Sequence, residues 1–155
     1  MQAAVEAIAY VSAGRAAPED DNWGDTHSTI TLIESMDESA LDGIEEFSHV
    51  EVLFLFHGVT PEKVVAGARH PRNNPSGPKV GIFAQRAKNR PNRIGSTMCR
   101  VLGRMGRSLF VAELDAIDGT PVLDIKPVLA EFLPRTAVRQ PSWSTELMAK
   151  YWHKS

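Results

Sequence analysis

The 155-residue sequence has a single cysteine and no long apolar run, and each absence excludes a class of protein. Cys99 alone can form neither an internal disulfide framework nor a zinc site built only from cysteines. No apolar run approaches the roughly 20 residues that span a membrane as a helix. The first residues lack the basic segment with which a secretory signal peptide begins. We therefore expect a cytoplasmic protein.

The sequence also lacks the short motifs of several common enzyme classes. No Gly-x-Gly-x-x-Gly follows a predicted strand, so a Rossmann-type nucleotide site is not expected. Neither His-Glu-x-x-His nor Gly-x-Ser-x-Gly is present. The five histidines are scattered along the chain without the spacing of metal ligands. We expect no metal site.

Acidic residues are missing from one stretch, residues 69–107, which holds ten Lys or Arg and no Asp or Glu. The rest of the chain holds seven basic and nineteen acidic side chains. The chain therefore contains a segment of charge +10, although its net charge is only −2. Such asymmetry indicates an anionic partner for the middle of the chain.

The length and the strand pattern predict one domain that is mainly antiparallel β. A chain of 155 residues is within the size range of one domain, and 43% apolar with 23% charged residues is typical of globular proteins. Runs that alternate or are continuously apolar end at glycines and polar turns, which favours a closed or nearly closed barrel. The strands are expected at residues 4–12, 28–34, 50–58, 94–106, 108–118 and 122–129.

Helices are expected to be few and short. Asp37 is a candidate cap for the first helix, and Ser142 or Ser144 for the last. In the last helix, Leu147 and Tyr151 are at helical spacing on one apolar face. The helical segments are expected at residues 37–47, 61–68 and 142–153.

Two dense stretches carry the candidate functional residues. Residues 70–96 combine basic side chains with four prolines, and a stiff loop can pre-organise a site for anionic oxygens. The alternative for this stretch is a solvated basic loop. Residues 114–127 hold three aspartates, although Asp118-Gly119 is also an ordinary turn signal. The arginines that could bind phosphate are Arg72, Arg86, Arg90 and Arg93.

Together the two stretches resemble the TrmO-type, or TsaA-like, SAM-dependent tRNA adenine-N6-methyltransferases. The resemblance is carried by HPR, GIFAQR, RPNRIG and LDAIDGTPVLDIKP, and by the upstream EFSHVEVLFLFH. It covers residues 39–129. It implies that residues 1–155 form a single SAM-binding β-barrel domain, unrelated to the Rossmann methyltransferases.

The resemblance further implies that the chain binds S-adenosyl-L-methionine (SAM) near the interface of a homodimer. The family's usual substrate is a threonylcarbamoyl-adenosine at position 37, in the anticodon loop of tRNA, which is methylated on its N6 nitrogen. The residues that the resemblance assigns to cofactor binding are Trp23, Gly24, Asp25, His57, Gly58, Arg86, Ser96, Asp115, Ala116, Ile117 and Asp118.

Within this implied site, different residues are expected to hold different parts of the cofactor. Backbone groups of residues 115–118 would hold the adenosyl part, while Arg86 and His57 would position the cofactor or the target. Phe83 or Trp23 would pack against the adenine or the sulfonium.

Asp118 is the candidate catalytic residue, as a carboxylate that accepts the N–H of the target amine. A role in stabilising its turn competes with that role. RNA phosphates are expected to meet four basic residues of the middle stretch. These residues are Lys79, Lys88, Arg90 and Arg93.

The chain departs from the family pattern at several positions. Residues 85–88 are Gln-Arg-Ala-Lys where the family tends to have Thr-Arg-Ser-Pro, and Arg93 replaces a proline. Val128 stands where an aromatic residue is common. Few residues follow the matched region, where longer bacterial members carry a C-terminal domain. Two alternatives therefore stay open: a SAM-dependent enzyme acting on a small molecule or another RNA, and a non-catalytic SAM- or RNA-binding barrel.

Overall fold

The computed structural model describes residues 1–155, and its central feature is a closed barrel of six strands. The strands of the chain are β1 (Ala9–Ser12), β2 (His27–Leu32), β3 (His49–Leu55), β4 (Ala68–Arg69), β5 (Val80–Gly81), β6 (Ile94–Met105), β7 (Ser108–Ala112) and β8 (Pro121–Pro127). Around the barrel the order is β1-β2-β7-β6-β3-β8, with every neighbouring pair antiparallel. The prediction of a mainly antiparallel β barrel is confirmed.

Alternation along the strands decides which side chains fill the barrel. In β3, Val50, Val52 and Phe54 are buried while the residues between them are half-exposed. Successive side chains in a strand point to opposite faces. The alternating apolar side chains of each strand therefore all face the inside of the barrel. Burying these side chains removes apolar surface from water, which is the main favourable term in folding. The largest fully buried side chains include Ile30, Leu109, Val111, Leu114 and Val122.

The barrel wall is incomplete along one strand. β7 pairs only with residues Arg100–Met105 of β6, with a bulge near Gly103. The first half of β6, Ile94–Cys99, pairs with β3 but has no strand on its other side. After β7, Glu113 adopts φ = 70°, a left-handed conformation that is uncommon outside glycine, and here the chain leaves β6. We call residues Ile94–Cys99 the open edge of β6.

The prediction of one helix after Asp37 is wrong, but the prediction that Asp37 caps the first helical turn is confirmed. Two 3-10 turns, Glu38–Leu41 and Ile44–Glu46, replace it. Gly43 separates them with φ = 84°, which a continuous right-handed helix does not accommodate. The carboxylate of Asp37 accepts a hydrogen bond from the N–H of Ser39 at 2.8 Å.

The C-terminal helix is shorter than predicted, and its predicted caps are wrong. α1 covers Ser142–Leu147, and Pro141 occupies the cap position without a side-chain hydrogen bond. Ser142 begins the helix, and the Ser144 hydroxyl donates to the Pro141 carbonyl at 2.7 Å. Tyr151 lies beyond the helix, in a turn.

The remaining elements are also shorter than the sequence predicts. β1 begins at Ala9 instead of residue 4, and a single 3-10 turn, Pro61–Lys63, replaces the helix expected at 61–68. At the start of the basic stretch, β4 and β5 pair antiparallel, and the Gln85 side-chain amide donates to one carbonyl in each of these strands. None of the helical segments has the length and apolar character needed to cross a membrane. Further 3-10 turns are Pro71–Asn73, Ile82–Ala84 and Ala130–Phe132.

Candidate functional site

Asp115 is the charged centre of the gap between the open edge of β6 and the segment that follows β7. Its side chain is half-buried. One carboxylate oxygen accepts from the Thr97 hydroxyl and the other from the Tyr151 hydroxyl. A carboxylate has about four lone-pair sites, so Asp115 retains acceptor capacity for a hydroxyl or amine of a ligand.

Burial, together with the charge of Asp115, shifts the pKa values of two neighbours, Tyr151 and Cys99. Burial, and then the Asp115 charge and hydrogen bond, raise the pKa of Tyr151 well above its ordinary value, while Arg86 and Arg72 oppose this shift. Burial, followed by the charges of Asp115 and Glu113, raises the pKa of Cys99. Tyr151 is therefore a neutral donor near pH 7, and Cys99 is an unreactive thiol.

Arg86 lies against the open edge of β6. Its guanidinium donates to the carbonyl of Ser96 at 2.5 Å, and the Ser96 hydroxyl donates to Glu51 at 2.7 Å. The Arg86 side chain is otherwise exposed. Since a guanidinium has five N–H donors, Arg86 can bind an anionic group while it holds the strand.

The loop between β1 and β2 is held against the residues that follow Asp115. The N–H of Asp118 donates to the carbonyl of Arg15 at 2.7 Å. The Arg15 guanidinium stacks 4.2 Å from the centroid of the Trp23 ring, and the indole N–H donates to the Glu19 carbonyl at 3.1 Å. Trp23 is only 3% exposed. The indole thus presents almost no surface to a ligand, whereas Phe83 is 77% exposed.

The C-terminal segment, residues 142–155, closes the site from the other side. The backbone N–H groups of residues 22–24 donate to the carbonyls of residues 150, 151 and 153 over 2.8–3.3 Å. A Cβ atom on Gly24 would lie 2.0 Å from the carbonyl oxygen of Trp152. Only glycine permits this close approach of two backbones.

Most of the predicted cofactor-binding residues lie in one connected network. It runs from Gly24 through the C-terminal segment to Asp115, and along β6 from Thr97 to Ser96 and Arg86. A cavity of about 280 Å³ opens beside it and is lined by Met98, Glu113 and Trp152. The predicted residues in this network are Trp23, Gly24, Arg86, Ser96 and Asp115, and Ile117 and Asp118 join it through backbone contacts with Arg15, which stacks on Trp23.

The other predicted cofactor-binding residues are less directly connected. Ala116 is 3% exposed and packs in the core, so it can offer only backbone groups. Asp25 is exposed, and its carboxylate accepts from the Ser155 hydroxyl at 2.9 Å. His57 and Gly58 are exposed beyond the end of β3, and their backbone groups make no hydrogen bond to the network.

The turn at Asp118 is stabilised without its carboxylate. Gly119 adopts φ = 82°, and both the N–H and the hydroxyl of Thr120 donate to the carbonyl of Ile117. The Asp118 side chain is exposed and takes part in no ion pair. Its carboxylate is therefore free to contact a ligand.

The basic residues of the middle stretch differ in what their charges already contact. Lys79 and Lys88 are exposed. Arg90 donates to the Gln85 carbonyl at 2.9 Å, and Arg93 donates to the Val59 carbonyl at 2.6 Å. These two arginines hold the loop and keep further donors for an anion.

Arg72, which the sequence suggested for phosphate, is instead paired with a carboxylate. Its guanidinium lies 2.9 Å from Asp21. It lines a separate cleft of about 450 Å³ between residues 71–78 and α1, where Lys150 and Glu146 also lie. Charges in this cleft are balanced, and Arg72 is the one candidate residue from the sequence that lines it.

Two residues of the network carry no motif signal in the sequence. Thr97 is a polar residue that faces inward in an alternating strand, and the spacing of Tyr151 predicts only a place on an apolar helix face. The chemistry of tyrosine could have pointed to Tyr151, because a tyrosine whose ring packs against the protein usually has a hydrogen-bond partner for its hydroxyl. No three His, Cys, Asp or Glu side chains come together as possible metal ligands.

Comparison with known proteins gives a consistent result. The model of the family described as the tRNA-methyltransferase O N-terminal domain matches residues 10–132. The mouse tRNA (adenine(37)-N6)-methyltransferase is 44% identical over 95 residues, which are 61% of this chain and 22% of the mouse protein. A Pyrococcus abyssi protein described as a probable S-adenosyl-L-methionine-binding protein is 37% identical over 120 residues, covering 74% of this chain and 59% of that protein.

The same likeness extends to a solved structure. The crystal structure of TrmO from Pseudomonas aeruginosa superposes with a TM-score of 0.73 at 29% identity, covering 91% of this chain and 61% of that chain. This chain therefore spans less than two thirds of each of these three proteins, and under a quarter of the mouse protein.

Proposed function

This chain belongs to the family of the tRNA-methyltransferase O N-terminal domain, and we propose that it is a SAM-dependent methyltransferase acting on tRNA. The reaction is methylation of the N6 nitrogen of a threonylcarbamoyl-adenosine at position 37. The observation that carries the proposal is that Arg86 and Asp115 both contact the open edge of β6, at the Ser96 carbonyl and the Thr97 hydroxyl. The proposed substrate places this activity in the cytoplasm.

The donors and acceptors at the open edge fit the polar groups of SAM. The exposed guanidinium of Arg86 suits a carboxylate. The spare acceptor sites of Asp115 suit an amine or the ribose hydroxyls. Backbone groups of residues 115–118 would hold the adenosyl part, and His57 would contact the cofactor or the target from the end of β3.

SAM, when bound, supplies a methyl group on a sulfonium that is already reactive. What remains for the protein is to hold the target amine in line with that methyl group, and such orientation is worth roughly 7–11 kcal/mol. The free carboxylate of Asp118 would accept a hydrogen bond from the N6–H and take its proton as the nitrogen gains the methyl group, so that the product nitrogen is neutral. The turn does not depend on this carboxylate, which favours the catalytic role over the structural one.

The middle stretch is the proposed RNA surface. Lys79 and Lys88 offer exposed charges, while Arg90 and Arg93 offer the donors that their loop carbonyls leave unused. Cations at these positions would bind phosphates with little dependence on base sequence. The tRNA would thereby be held beside the cofactor.

A homodimer with SAM near its interface is the proposed assembly. Outward-facing Ile94, Met98 and Leu102 on β6 are 39%, 46% and 46% exposed. A row of exposed apolar side chains on one strand is typical of an interaction surface. Met98 also lines the cavity at the open edge, which would bring the partner close to the cofactor.

The test is transfer of labelled methyl from SAM to bulk tRNA, with the wild-type chain, Arg86→Ala and Arg135→Ala. Arg135 is an exposed arginine outside the network and is the matched control. We expect label on the N6 nitrogen with wild type and Arg135→Ala, and little with Arg86→Ala. If calorimetry shows SAM binding but no methyl is transferred to tRNA, the result would favour a small-molecule or other RNA substrate. No binding at high micromolar SAM would leave a non-catalytic barrel.

A further inference from the structure

Tyr151 lies outside residues 10–132, the part of the chain that the family model matches, yet its hydroxyl contacts the centre of the proposed site. We propose that Tyr151 is a positioning residue that orients the Asp115 carboxylate for the cofactor. This inference rests on the proposed function, because it assigns a task at the proposed SAM site.

The segment that carries Tyr151 is firmly built into the protein. Its backbone carbonyls accept three hydrogen bonds from residues 22–24. Gly24 allows the backbone at Trp152 to approach closely, and the rings of Tyr151 and Trp152 pack edge to face with centroids 4.9 Å apart. Tyr151 therefore contacts Asp115 from a backbone that is held in place, and a positioning role requires such a fixed backbone.

The two donors on Asp115 hold its carboxylate in one orientation. Thr97 binds one oxygen from β6, and Tyr151 binds the other from the C-terminal segment. Hydrogen bonds to an ionised acceptor are among the stronger ones in proteins. With the plane of the carboxylate fixed, its remaining lone pairs point in set directions toward the gap.

The electrostatic surroundings keep Tyr151 suited to this task. Burial and the Asp115 charge raise its pKa, so the hydroxyl keeps its proton at neutral pH. Arg86 and Arg72 lie near enough to oppose that shift. Tyr151 is thus a neutral donor to the carboxylate that it orients.

The experiment is calorimetric titration of SAM into the wild type, Tyr151→Phe and Tyr10→Phe. Tyr10 is the other tyrosine, is 48% exposed on β1, and serves as the control. We expect the Kd for SAM to rise roughly tenfold in Tyr151→Phe, as for a lost hydrogen bond to a charged group. Tyr10→Phe should match the wild type.

A second readout separates positioning from general damage to the fold. In methyl-transfer assays, Tyr151→Phe should raise the KM for SAM while leaving kcat at saturating SAM near the wild-type value, since the reacting atoms do not contact Tyr151. A matching fall in kcat, with KM unchanged, would overturn the inference.

Other outcomes are equally decisive. Unchanged affinity in Tyr151→Phe, with normal wild-type binding, overturns the role of Tyr151 and leaves the proposed function standing. Tighter binding in Tyr151→Phe would mean that the C-terminal segment obstructs the site, which also overturns it. A wild type that binds no SAM would overturn both the proposed function and the role of Tyr151.

Discussion

Along β6, two halves of one strand have different neighbours. Residues Arg100–Met105 pair with β7, so the barrel wall is continuous there. Along the open edge, Ile94–Cys99, the side chains of Arg86 and Asp115 contact the strand where a neighbouring strand would otherwise lie. We call the part of the barrel around Arg100–Met105 and β7 the closed half, and the part around the open edge the open half. The closed half, with strands on both sides of β6, supplies rigidity. The proposed site lies in the open half, where β6 no longer pairs with β7.

The two halves should respond differently to substitution. Changes in the closed half remove core packing and should lower the free energy of unfolding. Changes at the open half remove donors and should mainly lower affinity for the cofactor. The following substitutions test this division, beginning with the largest expected effect.

Leu109→Ala in β7 should cause the largest loss of stability. Leu109 is fully buried in the closed half, and such truncations cost about 2–5 kcal/mol because a cavity remains. Urea unfolding measures the loss, with Leu133→Ala, an exposed position, as control. SAM affinity of the folded protein should be unchanged. A tenfold weaker affinity would contradict the division between the two halves.

Gly24→Ala should release the C-terminal segment. The added Cβ would meet the Trp152 carbonyl oxygen at 2.0 Å, and overpacking of this kind costs about 1–3 kcal/mol. We expect weaker SAM binding as Tyr151 leaves Asp115. Gly67→Ala, outside the proposed site, is the control, because a Cβ there meets nothing within 4 Å. Equal stability of the two variants in urea unfolding would show that the segment is not docked as described.

Arg86→Ala should weaken SAM binding roughly tenfold or more, the effect of losing a charged hydrogen-bonding group. Stability should change by less than about 1 kcal/mol, because the side chain is exposed. Arg86→Lys keeps the charge but loses the planar fork, so an intermediate affinity is expected. Calorimetry is the measurement, and full affinity in Arg86→Ala would remove Arg86 from the site.

The sequence alone could predict some of these strands and site residues, but not their arrangement. β3 and β6 were predictable because their apolar patterns are local. The prediction of a helix after Asp37 was wrong because Gly43 breaks it. The C-terminal helix ends at Leu147, and the carbonyls of residues 150, 151 and 153 accept from the distant residues 22–24. Asp115 lies 36 residues before Tyr151, and no spacing rule connects them. The resemblance supplied Arg86 and Asp115, but only the barrel topology brings them to one edge.

The pH dependence of stability should reveal the half-buried hydroxyl of Tyr151. The pKa of Tyr151 is raised from its ordinary 10.0 in the folded protein. Above about pH 10 the unfolded chain loses this proton while the folded chain keeps it, so stability falls as pH rises. The stability advantage of wild type over Tyr151→Phe should therefore shrink there. Cys99 is present in both proteins and cancels, and a constant advantage in urea unfolding would contradict the assignment.

The smallest expected effect concerns the proposed RNA surface. Lys79→Ala or Lys88→Ala should lower tRNA affinity slightly and make the slope of log K against log salt shallower by about 0.7–0.9 for each lost cation. Fluorescence anisotropy at several salt concentrations measures the slope. Lys63→Ala, an exposed lysine outside residues 69–107, should leave it unchanged. Identical slopes for all three variants would remove these lysines from the RNA surface.

The central claim is that the open edge of β6, with Asp115 and Arg86, is the cofactor site. A crystal structure of the protein with SAM tests it most directly. We predict SAM beside the open edge, within hydrogen-bond distance of the Arg86 guanidinium and of backbone groups in residues 115–118. SAM bound elsewhere, such as in the cleft between residues 71–78 and α1, would contradict the claim.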